Sequence, residues 1–252
     1  MLSRLVNAWV WTITVLTVLL GFWYVALVFV CTAPFDAGRY AAGRAFRNLG
    51  VFVTWLNPYW RFETSGVRIR DPRHPYVAVS NHESYADIFL FCHLPWEMKW
   101  LSKTTIFKIP VMGWMMRMAG DVPVVRGDRE SGVQALAACR DRLSKRVSVM
   151  IFPEGTRSPT EDMLPFKDGA FRIAIETGTP ILPMAVAGTR YAMAKGSFEF
   201  RPAHARCRVL DPVPTTGLTA TDIPALRDRV RSLIQDARDT LRAELEVADS
   251  AT

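Results

Sequence analysis

A histidine and an aspartate, His82 and Asp87, stand in the stretch Asn81-His82-Glu83-Ser84-Tyr85-Ala86-Asp87, directly after the apolar run Tyr76–Ser80. A carboxylate bonded to one imidazole nitrogen fixes the tautomer and stabilises the imidazolium, leaving the other nitrogen to take a proton from a hydroxyl. That is general-base chemistry. In a continuous helix the two side chains would point about 140° apart, so contact requires a turn before the helix begins. A strand-to-helix junction supplies that turn. In isolation the same two residues read as a structural loop with a capping aspartate.

Three further clusters tell against the isolated reading. Phe152-Pro153-Glu154-Gly155-Thr156-Arg157-Ser158 follows the apolar run Val147–Ile151, at a strand end of the kind where ligands collect in open sheets. Gly155 permits a tight turn, Arg157 offers a planar fork for phosphate, and Glu154 is placed to orient that arginine or a substrate group. Gly120-Asp121-Val122-Pro123-Val124-Val125-Arg126 sets Arg126 just beyond another short strand, and Lys103 lies between the first cluster and this one. Together these cations could enclose a phosphate. The fourth piece, Ile181-Leu182-Pro183-Met184-Ala185-Val186, is a buried apolar strand.

Other nucleophiles are poorly placed. Ser84 and Ser158, the serines a hydrolase would use, lie in no G-x-S-x-G pattern, and Ser84 is two residues from His82. Cys92 and His93 are adjacent and therefore point apart on either helix or strand. Cys31, Cys92, Cys139 and Cys207 form no C-x-x-C pair, so neither a zinc site nor a disulfide framework is indicated. No metal ligand set is expected, and His74, His93 and His204 fall outside every cluster.

The ordered set resembles the 1-acyl-sn-glycerol-3-phosphate acyltransferase family of glycerolipid synthesis. The N-H-x4-D element, the G-x5-R element, F-P-E-G-T-R-S and the proline-containing apolar strand follow the family's order over most of residues 76 to 190. Lys103 to Trp114 and Phe166 to Phe171 resemble the segments between and after them. The resemblance implies a mixed, largely parallel sheet flanked by helices, an α/β fold, with an N-terminal membrane-associated helical segment. It implies His82 and Asp87 as catalytic pair and Glu154, Gly155, Thr156 and Arg157 in acceptor binding, with Lys103 and Arg126 added as phosphate contacts. It implies acyl transfer from acyl-CoA or acyl carrier protein, as co-substrate without further cofactor, to the sn-2 hydroxyl of lysophosphatidic acid. Glu83-Ser84-Tyr85, the filling of the first motif, is where this chain departs from the family and where acceptor choice could be tuned. Another lysophospholipid, an amino-acid lipid or a glycolipid would suit the same chemistry, and a non-catalytic monotopic lipid-binding protein would keep Arg157 without needing a His–Asp pair.

These residues need a scaffold and a membrane. From Leu5 to Phe35 no side chain is charged, a run longer than the roughly 20 helical residues that cross a bilayer. It could span, or enter, bend near Gly21 and stay in one leaflet, with Trp9, Trp11, Trp23 and Tyr24 as interface anchors. It is about twice as long as a signal-peptide core and lacks an A-x-A site. Residues 37 to 60 read as an amphipathic interfacial helix carrying Arg39, Arg44 and Arg47. Those arginines place the rest of the chain on the cytoplasmic side, and the expected location is a bacterial inner membrane. The division is thus residues 1–60, membrane-associated helices, and residues 61–252, the α/β domain. There, Val67–Arg70, Tyr76–Ser80, Asp121–Val125, Val147–Phe152, Ile181–Ala187, Ser197–Phe200 and Cys207–Leu210 read as strands. Helices are expected over Ser84–Cys92, along the stripe Val133, Leu136, Cys139 and Leu143, from Asp168 to Gly178, and along Ile223, Leu226, Val230, Leu233, Leu241 and Leu245.

Half the 252 residues are apolar, with 8 Trp and 14 Phe, which excludes a disordered chain. A net charge of +7 favours anionic partners such as phospholipid headgroups and phosphorylated substrates. Nucleic acid is set aside, because the basic residues are scattered and show neither zinc-finger spacing nor an aromatic RNP motif.

Overall fold

Short β-branched runs can be buried on both faces only where helices cover both sides of a parallel sheet, and that arrangement is the one adopted. A computed structural model describes residues 2–194 and 196–250. Two helices come first, α1 (Leu2–Thr32) and α2 (Tyr40–Trp55), followed by β1 (Trp60–Gly66), β2 (Val77–Ser80) and α3 (Ala86–Cys92). Next are β3 (Met98–Lys103), the single turn α4 (Thr104–Phe107), α5 (Met112–Ala119), β4 (Val122–Val124) and α6 (Arg129–Ser144). The chain closes with β5 (Ser148–Ile151), α7 (Gly169–Thr177), β6 (Ile181–Ala187), β7 (Ala203–Val209) and α8 (Ile223–Ser250).

The strands form one sheet of seven in the order β1-β7-β6-β2-β5-β3-β4. Every neighbouring pair is parallel except β6 with β7. Strands β2, β5 and β6 are buried along their whole length. Alternate residues serve two cores: Val77, Val79, Val149 and Ile151 face α6, α7 and α8, while Ala78, Met150, Leu182 and Met184 face α3 with Trp96 and Trp100. Because β2, β3, β4, β5 and β6 run the same way, their carboxyl ends share one edge. Lys103 is the last residue of β3, and His82, Arg126, Glu154 to Arg157 and Thr189 all follow those ends.

Helix α1 runs unbroken through Gly21, so the bend considered there does not occur. Gly21 is instead a contact point with α2, where a Cβ would lie 2.5 Å from the Leu49 side chain. The helix is long and apolar enough to cross a membrane, and Leu20, Trp23, Leu27 and Val30 are exposed. The indole of Trp9 donates to Leu56 O and that of Trp11 to Phe198 O, so both are tied to neighbouring backbone.

Helix α2 differs from the expected interfacial helix. Arg47 is buried and ion-paired to Asp121, with Glu97 3.6 Å away, and Arg44 donates to Leu94 O. Burial opposes the Arg47 charge, but Asp121 and Glu97 outweigh it and hold its pKa above the ordinary arginine value. The charged face therefore turns to the α/β domain and carries little weight as a topology signal. Gly43 allows the approach, since a Cβ there would sit 2.1 Å from Glu97 Oε1.

Several strand boundaries also differ. The first strand is Trp60–Gly66, where Trp60, Phe62 and Thr64 alternate with charged or small residues, and Val67–Arg70 lies beyond its end. Val67 makes one last rung, donating to Val209 O at 2.9 Å, and Val67 and Ile69 pack on the core without a ladder. Strand β3 was not anticipated, because Lys99 inside it is buried and looks foreign to a sheet interior. Ser197–Phe200 is no strand: its Phe200 backbone exchanges bonds with the Asn7 side chain of α1, at 2.7 and 3.0 Å. In α6 and α8, Val133 and Leu233 are exposed, while Ala135 and Ile234 take the buried positions.

Candidate active site

The site begins where β2 leaves the sheet. Asn81 Nδ2 donates to Val186 O and Asn81 Oδ1 accepts from Val186 N–H, both at 2.9 Å, so a side chain extends the β2–β6 ladder by one step. That step fixes the backbone at His82. The next residues turn before α3 starts at Ala86, and the turn brings His82 Nδ1 to 2.7 Å from Asp87 Oδ2. The same carboxylate oxygen accepts the N–H groups of Glu83 and Ser84, at 2.8 and 3.1 Å. Its other oxygen accepts the hydroxyl of Thr189, which lies just beyond β6. Asp87 is wholly buried, so these donors replace water.

A carboxylate can only accept, so Nδ1 carries the proton and Nε2 keeps its lone pair. Among the described residues no hydrogen bond engages Nε2. The ring lies flat on Phe152, centroids 3.9 Å apart and planes 17° apart, which limits rotation. Backbone bonds complete the mounting: His82 N–H donates to Glu154 Oε1 at 2.7 Å, and His82 O accepts from Ser158 N–H at 3.1 Å.

Glu154 is thereby engaged with backbone on both carboxylate oxygens. Its second oxygen accepts from Leu164 N–H at 2.9 Å, so it braces the His82 loop against the 152–168 loop, and among the described residues it bonds no arginine. Burial pushes its pKa up to about 7, against the pull of those two N–H groups. Gly155 has φ +73°, the left-handed region a side chain resists, and the Lys167 ammonium occupies the space a Cβ would fill. Thr156 is half-buried beside it.

Arg157 stacks on the Tyr85 ring with its guanidinium carbon 3.8 Å from the centroid. Arg126 is close enough to sense both: its pKa is lowered first by partial desolvation and also by the Arg157 charge, with Tyr85 acting the other way. Lys103 and Arg126 meet because β3 and β4 are neighbours, with Lys103 opposite Val124. They line a cavity of about 340 Å³ with Lys108, Thr104 and Thr105. Arg157 is not part of that lining. The cations thus form a belt of two pieces joined through Tyr85 to the His82 turn.

The competing nucleophiles are engaged elsewhere. Ser84 Oγ donates to Met193 O, and Ser158 Oγ to the carbonyls of Thr160 and Asp162. Burial pushes the Cys92 thiol up to about 12, and His93 bonds Thr54 at 2.7 Å, not Cys92. Thr189 was missed by sequence reasoning. The available signal was its position as the first hydroxyl after a buried strand that adjoins β2.

Helices over both faces of a parallel sheet, with a His–Asp pair and a cationic belt at one strand edge, define an α/β transferase or hydrolase architecture. Comparison with known proteins narrows this. Residues 61–187 match the family model described as Acyltransferase. A chloroplastic 1-acyl-sn-glycerol-3-phosphate acyltransferase of Brassica napus is 40% identical over 183 residues, covering 72% of this chain and 52% of its own. The beta form of that enzyme from Homo sapiens is 31% identical over 194 residues, covering 74% of this chain and 69% of its own. The crystal structure of the 1-acyl-sn-glycerophosphate acyltransferase of Thermotoga maritima superposes with a TM-score of 0.68 at 25% identity, covering 91% of this chain and 96% of that one. The chain belongs to the acyltransferase family. It spans about half the length of the plant relatives it matches.

Proposed function

We propose that the protein transfers a fatty acyl group from a thioester donor, acyl-CoA or acyl carrier protein, to the sn-2 hydroxyl of 1-acyl-glycerol-3-phosphate, giving phosphatidic acid. The observation that carries this reading is the His82–Asp87 pair, whose Nε2 bonds nothing among the described residues, held beside a belt of cations. Nε2 removes the hydroxyl proton as the oxygen attacks the thioester carbonyl. The tetrahedral oxyanion collapses, the carbon–sulfur bond breaks, and the imidazolium returns its proton to the departing thiolate. Asp87 stabilises the imidazolium between those two steps. Arg157, Arg126 and Lys103 bind the acceptor phosphate, with Gly155 and Thr156 shaping that side. Glu154 acts on the acceptor only indirectly, by holding the His82 loop.

Helix α1 anchors the enzyme in the membrane and supplies lipid acceptor from the bilayer, with the phospholipid surface as its partner. A bacterial inner membrane with the α/β domain on the cytoplasmic face suits the soluble thioester donors and four free cysteines. Purified protein given mixed lysolipids and both donor types should yield phosphatidic acid, identified by mass spectrometry. Acylation confined to an uncharged or amino-acid lipid would overturn the acceptor, and release of free fatty acid alone would overturn transfer.

A further inference from the structure

The first motif contains an acidic residue that the transfer chemistry leaves without a task. Glu83 follows His82 directly, is buried, and turns away from the cationic belt toward α8. There its Oε1 accepts from Arg242 Nη2 at 3.1 Å. Its backbone N–H meanwhile donates to Asp87 Oδ2, the oxygen that also holds His82. A single residue thus joins the carboxyl-terminal helix to the pair that would perform the reaction.

Arg242 does not act alone on this face. It also donates to Glu161 O at 3.1 Å, Arg238 donates to that same carbonyl at 3.1 Å, and Arg231 donates to Met163 O at 3.0 Å. Positions 231, 238 and 242 are seven and four apart, so the three arginines share one side of α8. The loop they grip is the one that bonds His82 O through Ser158 and Glu154 through Leu164. The two loops that meet at His82 are therefore held from behind by the same helix.

We propose that Arg242 is a positioning residue, which acts through Glu83 to hold the His82 turn in its reactive geometry. The inference rests on the acyl-transfer reading above. A buried carboxylate beside Asp87 is costly without a partner: burial, then Asp87, raise the Glu83 pKa, and Arg242, then Arg190, oppose them. Removing Arg242 obliges Glu83 to take a proton or to swing toward water. Either response disturbs a backbone whose N–H groups fix Asp87. Glu83 accordingly serves the geometry of the turn and does not contact the acceptor.

The test uses the full chain in lipid nanodiscs, with kcat and KM measured for lysophosphatidic acid and for the thioester, and thermal unfolding as a control. Arg242→Met should lower kcat by about 10- to 100-fold with both KM values within about twofold, and Arg242→Lys should recover most of the loss. Glu83→Gln should lower kcat similarly, and the double variant should be no worse than the weaker single one, because the two residues act as a unit. Should Arg242→Met fail to fold, Arg242→Lys and Glu83→Gln decide the matter, the former retaining and the latter losing kcat. Normal kcat in folded Arg242→Met or Glu83→Gln, a double variant equal to the product of the single effects, or a loss confined to KM would overturn the proposal. A His82→Ala control separates the two readings: its full activity would remove the base itself, whereas its inactivity beside an unaffected Arg242→Met would remove only the clamp.

Discussion

Thr189→Val is the substitution that most cleanly tests how Asp87 is held. The carboxylate is shared by four donors: His82 Nδ1, Glu83 N–H and Ser84 N–H on Oδ2, and the Thr189 hydroxyl on Oδ1. Valine preserves the shape of threonine and removes only the hydroxyl. Asp87 and Thr189 are both fully buried, so water cannot take the vacated place. A hydrogen bond to a charged group contributes roughly 1.5–3 kcal/mol. If that loss falls on the step in which Asp87 stabilises the imidazolium, kcat declines by roughly 10- to 150-fold. Initial rates of thiol release at saturating donor and lysophosphatidic acid measure it directly. Thr189→Ser, which keeps the donor, should stay within about threefold of the parent enzyme. A folded Thr189→Val protein with kcat within twofold of the parent would refute the reasoning.

The Glu154 brace predicts a pH dependence of stability. Its folded pKa of about 7 lies above the ordinary 4.5, so the native protein binds the extra proton between those values, and this group's stabilisation is complete below pH 4.5 and lost as pH rises through 7. The unfolding free energy of the parent relative to Glu154→Gln should therefore fall by on the order of 3 kcal/mol between pH 4.5 and 8; a pH-independent difference would contradict the buried-carboxyl assignment. Arg157→Ala should raise the KM for lysophosphatidic acid at least about tenfold and leave the thioester KM alone if Arg157 binds the acceptor phosphate as proposed; equal effects on both substrates would argue against it. Gly43→Ala should lower the unfolding temperature by several degrees, because its Cβ would meet Glu97 Oε1 at 2.1 Å inside a buried charge cluster. An unchanged melting curve would show that the cluster yields freely.

Legibility in the sequence followed chemistry more closely than contacts. His82 and Asp87 could be paired only because three further clusters accompany them in a known family's order, since alone they read as a capped loop; the parallel sheet brings His82, Lys103, Arg126 and Arg157 to one edge. The bonds of Glu154 were out of reach, because its partners are backbone N–H groups, which no sequence displays. Strand β3 escaped notice since Lys99 is buried with its charge paired to Glu97 at 3.1 Å, a solution invisible to a hydropathy pattern. Arg47 misled in the same way: on the sequence it is an interfacial cation, and in the fold it closes an ion pair with Asp121. Thr189 and Arg242 lie 102 and 159 residues from Asp87 and Glu83, the groups they contact, so only the tertiary structure joins them to the site.

The most direct measurement is product formation by His82→Ala in nanodiscs containing lysophosphatidic acid, with phosphatidic acid quantified by mass spectrometry and donor binding measured in parallel. Loss of the base should reduce turnover at least about 100-fold while donor affinity and unfolding temperature stay within experimental scatter. Phosphatidic acid formed by the folded variant at a rate within tenfold of the parent would contradict the assignment of His82 as the group that activates the acceptor hydroxyl.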